Sequence, residues 1–210
     1  MEHKKTYFSS ELTTPHGTLV IEGPVDPDTL LSYKFHEGLV AFRVPKEQHK
    51  AIVEISKLKE GRIIIAREEN TIVGYVTFLH PDPLERWSEA QMEDLIELGA
   101  IEVIQKYRGC RVGQNMLKLA MKDEYMENYI IITTEYYWHW DLKGTGLNIW
   151  DYRKMMERMM NAGGLVWYAT DDPEICSHPA NCLMVRIGKN VGAESIEKFD
   201  RIRFQSRFMY

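Results

Sequence analysis

The sequence predicts an α/β fold, in which a mixed β-sheet carries helices on its faces. Two apolar segments, 61–67 and 71–78, flank the short polar turn 68–70, and this pattern is typical of a β-hairpin. A further extended segment, 95–104, leads through a turn with two glycines into a run that starts at Val112 and has apolar residues at helical spacing. Strands that are followed by a helix and then by further strands give a mixed sheet.

The other predicted elements continue this alternation of strands and helices. Pro45 suits the first turn of a helix, because its missing N–H group is not needed there. Gly163 and Gly164 end a helix in the way that a C-terminal glycine cap requires. In chain order we expect a hairpin of strands 6–8 and 18–22 around the turn 15–17, helices at 28–35 and from 45 onward, a loop at 80–90, a strand at 129–135, a helix at about 147–161, and strands at 165–168 and 182–187.

The composition is that of an ordinary globular protein. The 210 residues are enough for one domain, with 44% hydrophobic and 27% charged residues. No apolar run approaches the roughly 20 residues of a membrane span, and the start of the chain lacks the apolar core of a signal peptide. Three cysteines fit a reducing compartment, and a net charge of −5 argues against broad nucleic-acid binding. We therefore expect a cytoplasmic protein with no membrane or nucleic-acid partner.

The turn Arg108–Gly113 is the most informative segment of the chain. A glycine-containing turn that opens a helix presents free backbone N–H groups and the positive end of the helix dipole to one point. Such a point binds anions, and pyrophosphate is a natural ligand. The turn follows the C-terminal end of its strand, where open α/β sheets bind their ligands. The alternative is a plain strand-to-helix turn in which glycine only relieves backbone strain.

Together these features resemble the GNAT superfamily of acyl-CoA N-acetyltransferases. That family has the motif Gln/Arg-x-x-Gly-x-Gly/Ala after its fourth strand, and here Arg108 fills the first position, Gly113 the last, and Gly109 a commonly seen second position. The hairpin around 73–76 resembles the family's third strand. The resemblance implies a mixed, mostly antiparallel sheet flanked by helices, in three parts: an N-terminal β-hairpin extension over 1–26, the acetyltransferase domain over 27–190, and a basic, aromatic tail over 191–210.

More narrowly, the chain resembles the acetoin-utilisation acetyltransferases of this superfamily. The resemblance rests on the length, the N-terminal hairpin, the aromatic segment 136–140 and the ending 207–210. It implies acetyl-CoA as co-substrate, no metal, and acetyl-CoA synthetase as the protein partner, which is inactivated when its active-site lysine is acetylated. Two other functions stay open: acetylation of a small amine, and an acyl-CoA-sensing binding module that inhibits a partner by docking.

The resemblance also implies which residues bind the co-substrate. Backbone amides of the turn would hold the pyrophosphate, and the backbone of the preceding strand would pair with the pantetheine arm, with the amide near Val103 polarising the thioester carbonyl. Arg111 replaces the central glycine of the motif, and its side chain either crowds the pyrophosphate or points outward and adds a cation. The candidate cofactor-binding residues are Ile101, Val103, Arg108, Gly109, Cys110, Arg111, Val112, Gly113 and Gln114.

Three residues are candidates for proton transfer. Glu97 and Glu102 lie in the strand before the motif, on opposite faces by the two-residue period of a strand. A carboxylate in a mostly apolar strand has a raised pKa and suits proton abstraction, although a glutamate at the solvated rim of the sheet is the alternative. By resemblance, Glu97 stands 11 residues before Arg108, where some protein-lysine acetyltransferases keep a catalytic glutamate. Tyr152 is the candidate acid for the coenzyme A thiolate, with plain helix packing as the alternative.

Further residues are candidates for contact with the substrate or a partner. Aromatic side chains after a strand end can hold the stem of a lysine and orient its ammonium group, or can form a hydrophobic lid. The basic tail can dock on a partner or fold on the sheet. These candidates are Glu135, Tyr137, Trp138, Trp140, Arg203 and Arg207. The spacing of Cys176, His178 and Cys182 suggests a metal site, but no fourth ligand is evident, so we favour a structural loop and expect no metal.

Overall fold

A nine-stranded sheet forms the centre of the protein in the computed structural model, which describes residues 1–208 and their side chains through Ser206. The strands follow the order β1-β2-β4-β5-β6-β7-β9-β8, and β3 pairs with β5 off this path. The strands are β1 (Phe8–Thr14), β2 (Gly17–Gly23), β3 (Lys34–Phe35), β4 (Arg62–Glu68), β5 (Thr71–Leu79), β6 (Leu95–Val103), β7 (Ile130–Glu135), β8 (Val166–Tyr168) and β9 (Cys182–Ile187). The helices are α1 (Pro27–Ser32), α2 (Pro45–Lys57), α3 (Val112–Ala120), α4 (Leu142–Thr145), α5 (Ile149–Asn161), α6 (Pro173–Cys176) and α7 (Ala193–Arg203).

The predicted sheet type is confirmed. All neighbouring strands on the main path are antiparallel except β6 and β7, and β3 is also parallel to β5. The predicted hairpin at 61–78 is β4 and β5, whose Ile63, Ile64 and Ile65 are fully buried. A run of consecutive buried residues is expected where both faces of a sheet are covered. In the described part of the chain, no helix combines the length and the apolarity that a bilayer crossing demands.

Different helices cover the two faces of the sheet. On one face, a Cβ added at Gly74 would lie 3.4 Å from Cε of Met116 in α3. On the other face, the ring of Tyr75 lies 5.7 Å from that of Phe35, which stacks on His49 of α2 at 5.2 Å. We call these the α3 face and the α2 face.

The strands β6 and β7 separate at their carboxyl ends. Their parallel pairing covers only Leu95–Glu97 against Ile130–Ile132. Beyond that point β6 continues to Val103 and β7 continues to Glu135, each paired only on its other side among the residues described. The result is an open wedge between the two strands, and the turn before α3 lies at the end of the β6 side.

Two predicted elements differ from the structure. The helix predicted at 28–35 ends at Ser32, because the next residue is extended and Lys34–Phe35 pairs with β5. The helix also begins earlier, with Asp26 accepting a hydrogen bond from Thr29 N at 3.0 Å as the N-cap. The strand predicted at 6–8 is instead β1, which continues until a two-residue turn, Pro15-His16, reverses the chain.

The first hairpin and α7 both pack with the main sheet. The first hairpin continues the main sheet through pairing of β2 with β4. In the tail, α7 buries Phe199 and Ile202 in a cluster with Trp87, so residues 193–203 follow the alternative in which the tail folds on the domain. The domain boundaries after residues 26 and 190 stay predictions.

Candidate active site

The turn before α3 presents free backbone donors. No side chain caps α3, and within residues 1–208 no protein group accepts from the N–H groups of Arg111, Val112, Gly113 or Gln114. The N–H group of Cys110 is different, because it donates to Tyr107 O at 3.2 Å. Four consecutive free amides at a helix N-terminus form a site for an anion.

The two glycines of the turn serve different purposes. Gly109 has φ +80°, a conformation that side chains rarely adopt, although a Cβ there would meet nothing within 4 Å. Gly113 is required by packing, since a Cβ there would lie 2.7 Å from Sδ of Met159 in α5 and 3.3 Å from Cδ1 of Ile101 in β6. Gly113 therefore lets α3 approach both β6 and α5 closely, and Ile101 faces α3.

Arg111 adopts the left-handed conformation that the motif's glycine would take. Its φ is +60° and its ψ is 22°, which costs about 1–2 kcal/mol for a residue with a side chain. Asn115 holds this conformation, with its backbone N and its Nδ2 donating to the Arg111 carbonyl at 3.0 and 2.8 Å. The Arg111 side chain is exposed, and no described carboxylate pairs with it.

Arg108 connects the turn to the segment after β7. Its Nη1 lies 2.6 Å from Oδ2 of Asp141, and its Nε donates to Val103 O at 3.3 Å. The guanidinium holds the pKa of the Asp141 carboxyl below its usual range. Arg108 thus links the phosphate-binding turn, the end of β6 and the N-cap of α4.

Glu97 and Glu102 lie on the same face of the sheet, so the prediction that they lie on opposite faces is wrong. Thr77 pairs with Ala100, but the next residue of β5 pairs with Leu98, which leaves Gly99 as an extra residue in β6. This β-bulge reverses the alternation of side chains along the strand. Glu102 pairs with Tyr75 and Glu97 pairs with Leu79. Tyr75 and Leu79 are an even number of residues apart in β5 and so share the α2 face, which places both glutamates on that face.

Glu97 lies where β6 and β7 separate. It is half-buried, and no side chain of residues 1–206 donates a hydrogen bond to it. Its pKa is raised to about 8, chiefly by loss of water and also by the nearby carboxylates of Glu85, Asp82 and Glu135. A carboxyl group with such a pKa is suited to accept a proton near neutral pH.

Glu102 has a different environment. It is buried, and its Oε1 accepts from the backbone N of Val40 at 2.7 Å and of Ala41 at 2.8 Å. Its Oε2 accepts from the Tyr75 hydroxyl at 2.9 Å. Three donors occupy this carboxylate, which favours a positioning role over the role of base.

Glu135, Trp140 and Tyr152 form one connected group beside the wedge. Glu135 Oε2 accepts from Trp140 Nε1 at 3.2 Å, and the Trp140 ring stacks on Tyr152 with centroids 5.1 Å apart. Loss of water raises the pKa of Glu135 to about 7 and also raises the pKa of Tyr152. Since Asp141 follows Trp140, this group is joined to Arg108 through the ion pair described above.

The remaining aromatic candidates form an exposed patch. Tyr137 contacts Trp138 at 5.4 Å and His178 at 4.2 Å between ring centroids, and His178 stacks against Trp150 at 6.3 Å. Trp138 and Trp150 are both exposed. Sequence reasoning missed His178 and Trp150 as members of this patch, because only the fold brings the loop before β9 next to α5.

The other predicted residues do not gather at the wedge. Arg203 donates to Ala169 O at 2.7 Å and pairs with Asp200, so it holds α7 against the loop after β8. The side chain of Arg207 lies outside the described residues. In the part of the chain described here, no three His, Cys, Asp or Glu side chains form a group suited to a metal ion.

Comparisons with known proteins agree with this geometry. The family model of the Acetyltransferase (GNAT) family matches residues 32–144. The chain is 68% identical to the acetoin utilization protein AcuA of Bacillus subtilis and 67% identical to that of Bacillus licheniformis, in each case over 100% of both chains.

Solved structures share the fold. A crystal structure of an acetoin utilization protein from Exiguobacterium sibiricum has a TM-score of 0.96 at 58% identity, covering 99% of this chain and 98% of that one. A GNAT acetyltransferase from Streptococcus pneumoniae has a TM-score of 0.53 at 12% identity, over 81% of this chain and 99% of the other, which shows the fold alone. The chain therefore belongs to the GNAT acetyltransferase family, together with the AcuA proteins, and is an acetyl-CoA-dependent N-acetyltransferase.

Proposed function

We propose that this enzyme acetylates the active-site lysine of acetyl-CoA synthetase and thereby inactivates it, as part of acetoin and acetate metabolism in the cytoplasm. Neutralising that lysine removes a cation that the adenylation step of the synthetase needs, so the modification acts as feedback on acetyl-CoA supply. The names of the relatives support the metabolic context. One observation carries the chemistry: free amides and a carboxyl group of raised pKa flank the same wedge.

The turn and the open edge of β6 would bind acetyl-CoA. The free N–H groups of residues 111–114 donate to the diphosphate, and Arg108 and Arg111 add positive charge beside it. The unpaired edge of β6 at Ile101 and Val103 pairs with the pantetheine arm as an added strand would. This places the thioester in the wedge, where the amide near Val103 polarises its carbonyl.

Glu97 and Tyr152 would move the protons. Glu97 accepts a proton from the lysine ammonium group, and the free amine attacks the thioester carbon. The C–N bond forms as the C–S bond breaks, and Tyr152 donates its proton to the departing thiolate. The nitrogen then loses its second proton, which returns through solvent to the Tyr152 phenolate. The raised pKa of Tyr152 keeps its phenol protonated until that step.

The acceptor side is formed by acidic and aromatic groups. Glu135 adds negative potential near the amine, and Trp140 holds Glu135 in place. The exposed patch of Tyr137, Trp138, Trp150 and His178 offers aromatic faces to a protein partner.

Intact-mass analysis of acetyl-CoA synthetase tests the proposal. After incubation with the enzyme and acetyl-CoA, we expect one added acetyl group and loss of synthetase activity, and neither when the active-site lysine of the synthetase is replaced by arginine. An unmodified synthetase at saturating acetyl-CoA, together with release of coenzyme A from a panel of small amines, would reject the protein acceptor.

A further inference from the structure

The loop 39–44 before α2 exposes an apolar surface. Val40, Phe42 and Val44 are 61%, 52% and 60% exposed, while the neighbouring Leu39 is fully buried. Exposed apolar side chains that occur singly need no explanation, but three on one short loop mark a contact surface. The loop is therefore anchored by Leu39, and its exposed part, residues 40–44, combines these three large apolar side chains with Ala41 and Arg43.

Glu102 determines where this loop lies. Between Leu39 and Val44, the backbone hydrogen bonds of the loop among the described residues are those that Val40 and Ala41 donate to the Glu102 carboxylate. Burying a carboxylate has a high free-energy cost unless donors surround it, and here Tyr75 provides the third donor. The buried carboxyl group of Glu102 in β6 therefore holds this loop in place.

The loop lies on the side from which an acceptor reaches Glu97. The free amides of α3 belong to the α3 face, since Gly113 contacts Ile101 there. The β-bulge at Gly99 places Glu97 and Glu102 together on the α2 face. Acetyl-CoA and the acceptor therefore meet at the wedge from opposite faces, and loop 39–44 borders the acceptor's face.

We propose that Glu102 is a positioning residue for the protein acceptor. It holds loop 39–44 so that Val40, Phe42 and Val44 contact apolar side chains beside the acceptor lysine on a folded partner. This inference rests on the proposed function, because a small amine has no surface that these three side chains could contact.

Steady-state kinetics with acetyl-CoA synthetase as acceptor test this role. Glu102→Ala frees the loop, so we expect KM for the synthetase to rise about tenfold. This is the effect expected when roughly two hydrogen bonds are lost. The KM for acetyl-CoA and the pH profile of kcat stay unchanged. Glu102→Gln keeps an oxygen for the two loop amides and a polar group for Tyr75, and so restores the wild-type KM. A base at this position would instead lose kcat and its pH dependence in both variants.

Phe42→Ala keeps the test valid if Glu102→Ala fails to fold. This exposed side chain is expected to raise KM for the synthetase about fivefold to tenfold. Leu58→Ala is the matched control, since Leu58 is also exposed but lies about 20 Å away at the far end of α2. Wild-type turnover with an unchanged KM in Phe42→Ala overturns the inference alone. No wild-type turnover with the synthetase overturns the proposed function, and the inference with it.

Discussion

Glu97 and Glu102 occupy one strand and one face, yet their environments differ. Glu102 accepts three hydrogen bonds, whereas Glu97 has no donor among the described side chains and lies near three other carboxylates. A half-buried carboxylate without donors holds its proton to higher pH. The contrast supports the proposal that Glu97 transfers the proton and that Glu102 is a positioning residue.

The pH dependence of turnover follows from the raised pKa of Glu97. A base must be deprotonated to act, so kcat/KM is expected to rise with pH up to about 8 and to lose this rise in Glu97→Gln. The same variant is expected to lower kcat by about 10²- to 10⁴-fold. Steady-state assays between about pH 6 and about 9 measure both the pH profile and the loss of kcat.

Glu102→Gln is the control for this experiment, because Glu102 lies in the same strand and on the same face, and the expected pH profile of this variant is that of the wild type. An unchanged rise near pH 8 in Glu97→Gln would contradict the assignment of Glu97 as the base.

At the residue scale, the sequence predicted Glu97 but not its relation to Glu102. Glu97 was a candidate because it stands 11 residues before Arg108. Its position in an apolar strand implied a raised pKa of its carboxyl group. The shared face depends on the extra residue Gly99, which becomes visible only once Thr77 and Phe78 are matched to their partners in β6. A glycine inside a strand is a signal for a bulge, but it does not fix the register.

At the scale of elements, the turn before α3 is the part of the site that depends least on side chains. Its donors are backbone amides, held in place by the left-handed Arg111 and by Asn115. The close approach of α3 to β6 through Gly113 fixes these amides relative to the open strand edge. Phosphate and thioester would then bind to adjoining parts of one rigid unit.

Substitution of Arg111 tests whether its side chain adds a favourable charge beside the diphosphate. We expect Arg111→Gly and Arg111→Ala both to raise KM for acetyl-CoA by roughly 2- to 5-fold, the effect of an exposed ion pair, with kcat unchanged. Arg111→Gly also removes the backbone strain, so its melting temperature is expected to exceed that of Arg111→Ala.

Titration of acetyl-CoA in the steady-state assay measures this KM, and thermal melting measures the strain. A lower KM in Arg111→Gly than in the wild type would mean that the side chain crowds the diphosphate, contrary to its exposed position.

The long helices were predictable and the four-residue helices were not. The helices α2, α3 and α5 have enough turns for an apolar period, and each lies where the sequence placed it, within a few residues. Two four-residue helices, α4 and α6, have Asp141 and Asp172 as their N-caps and are too short to have a period. They arise from local capping, which depends on backbone geometry that the sequence does not specify.

At the scale of the whole molecule, the sheet would separate the two reactants of the proposed reaction. The α3 face carries the free amides, and the α2 face carries Glu97, Glu102 and loop 39–44. In the proposed mechanism, the reactants meet where β6 and β7 diverge. The fold class followed from the order of strands and helices, but this two-sided arrangement depends on strand pairing and on the bulge, which the sequence does not reveal.

We infer that free amides at the start of α3 hold the diphosphate of coenzyme A, and backbone NMR during titration with coenzyme A detects this contact. We predict that the amide resonances of residues 111–114 shift most, with smaller shifts at Ile101 and Val103 along the β6 edge. Binding that leaves the amides of 111–114 unshifted while others move, or no binding at all, would show that this turn does not hold the diphosphate.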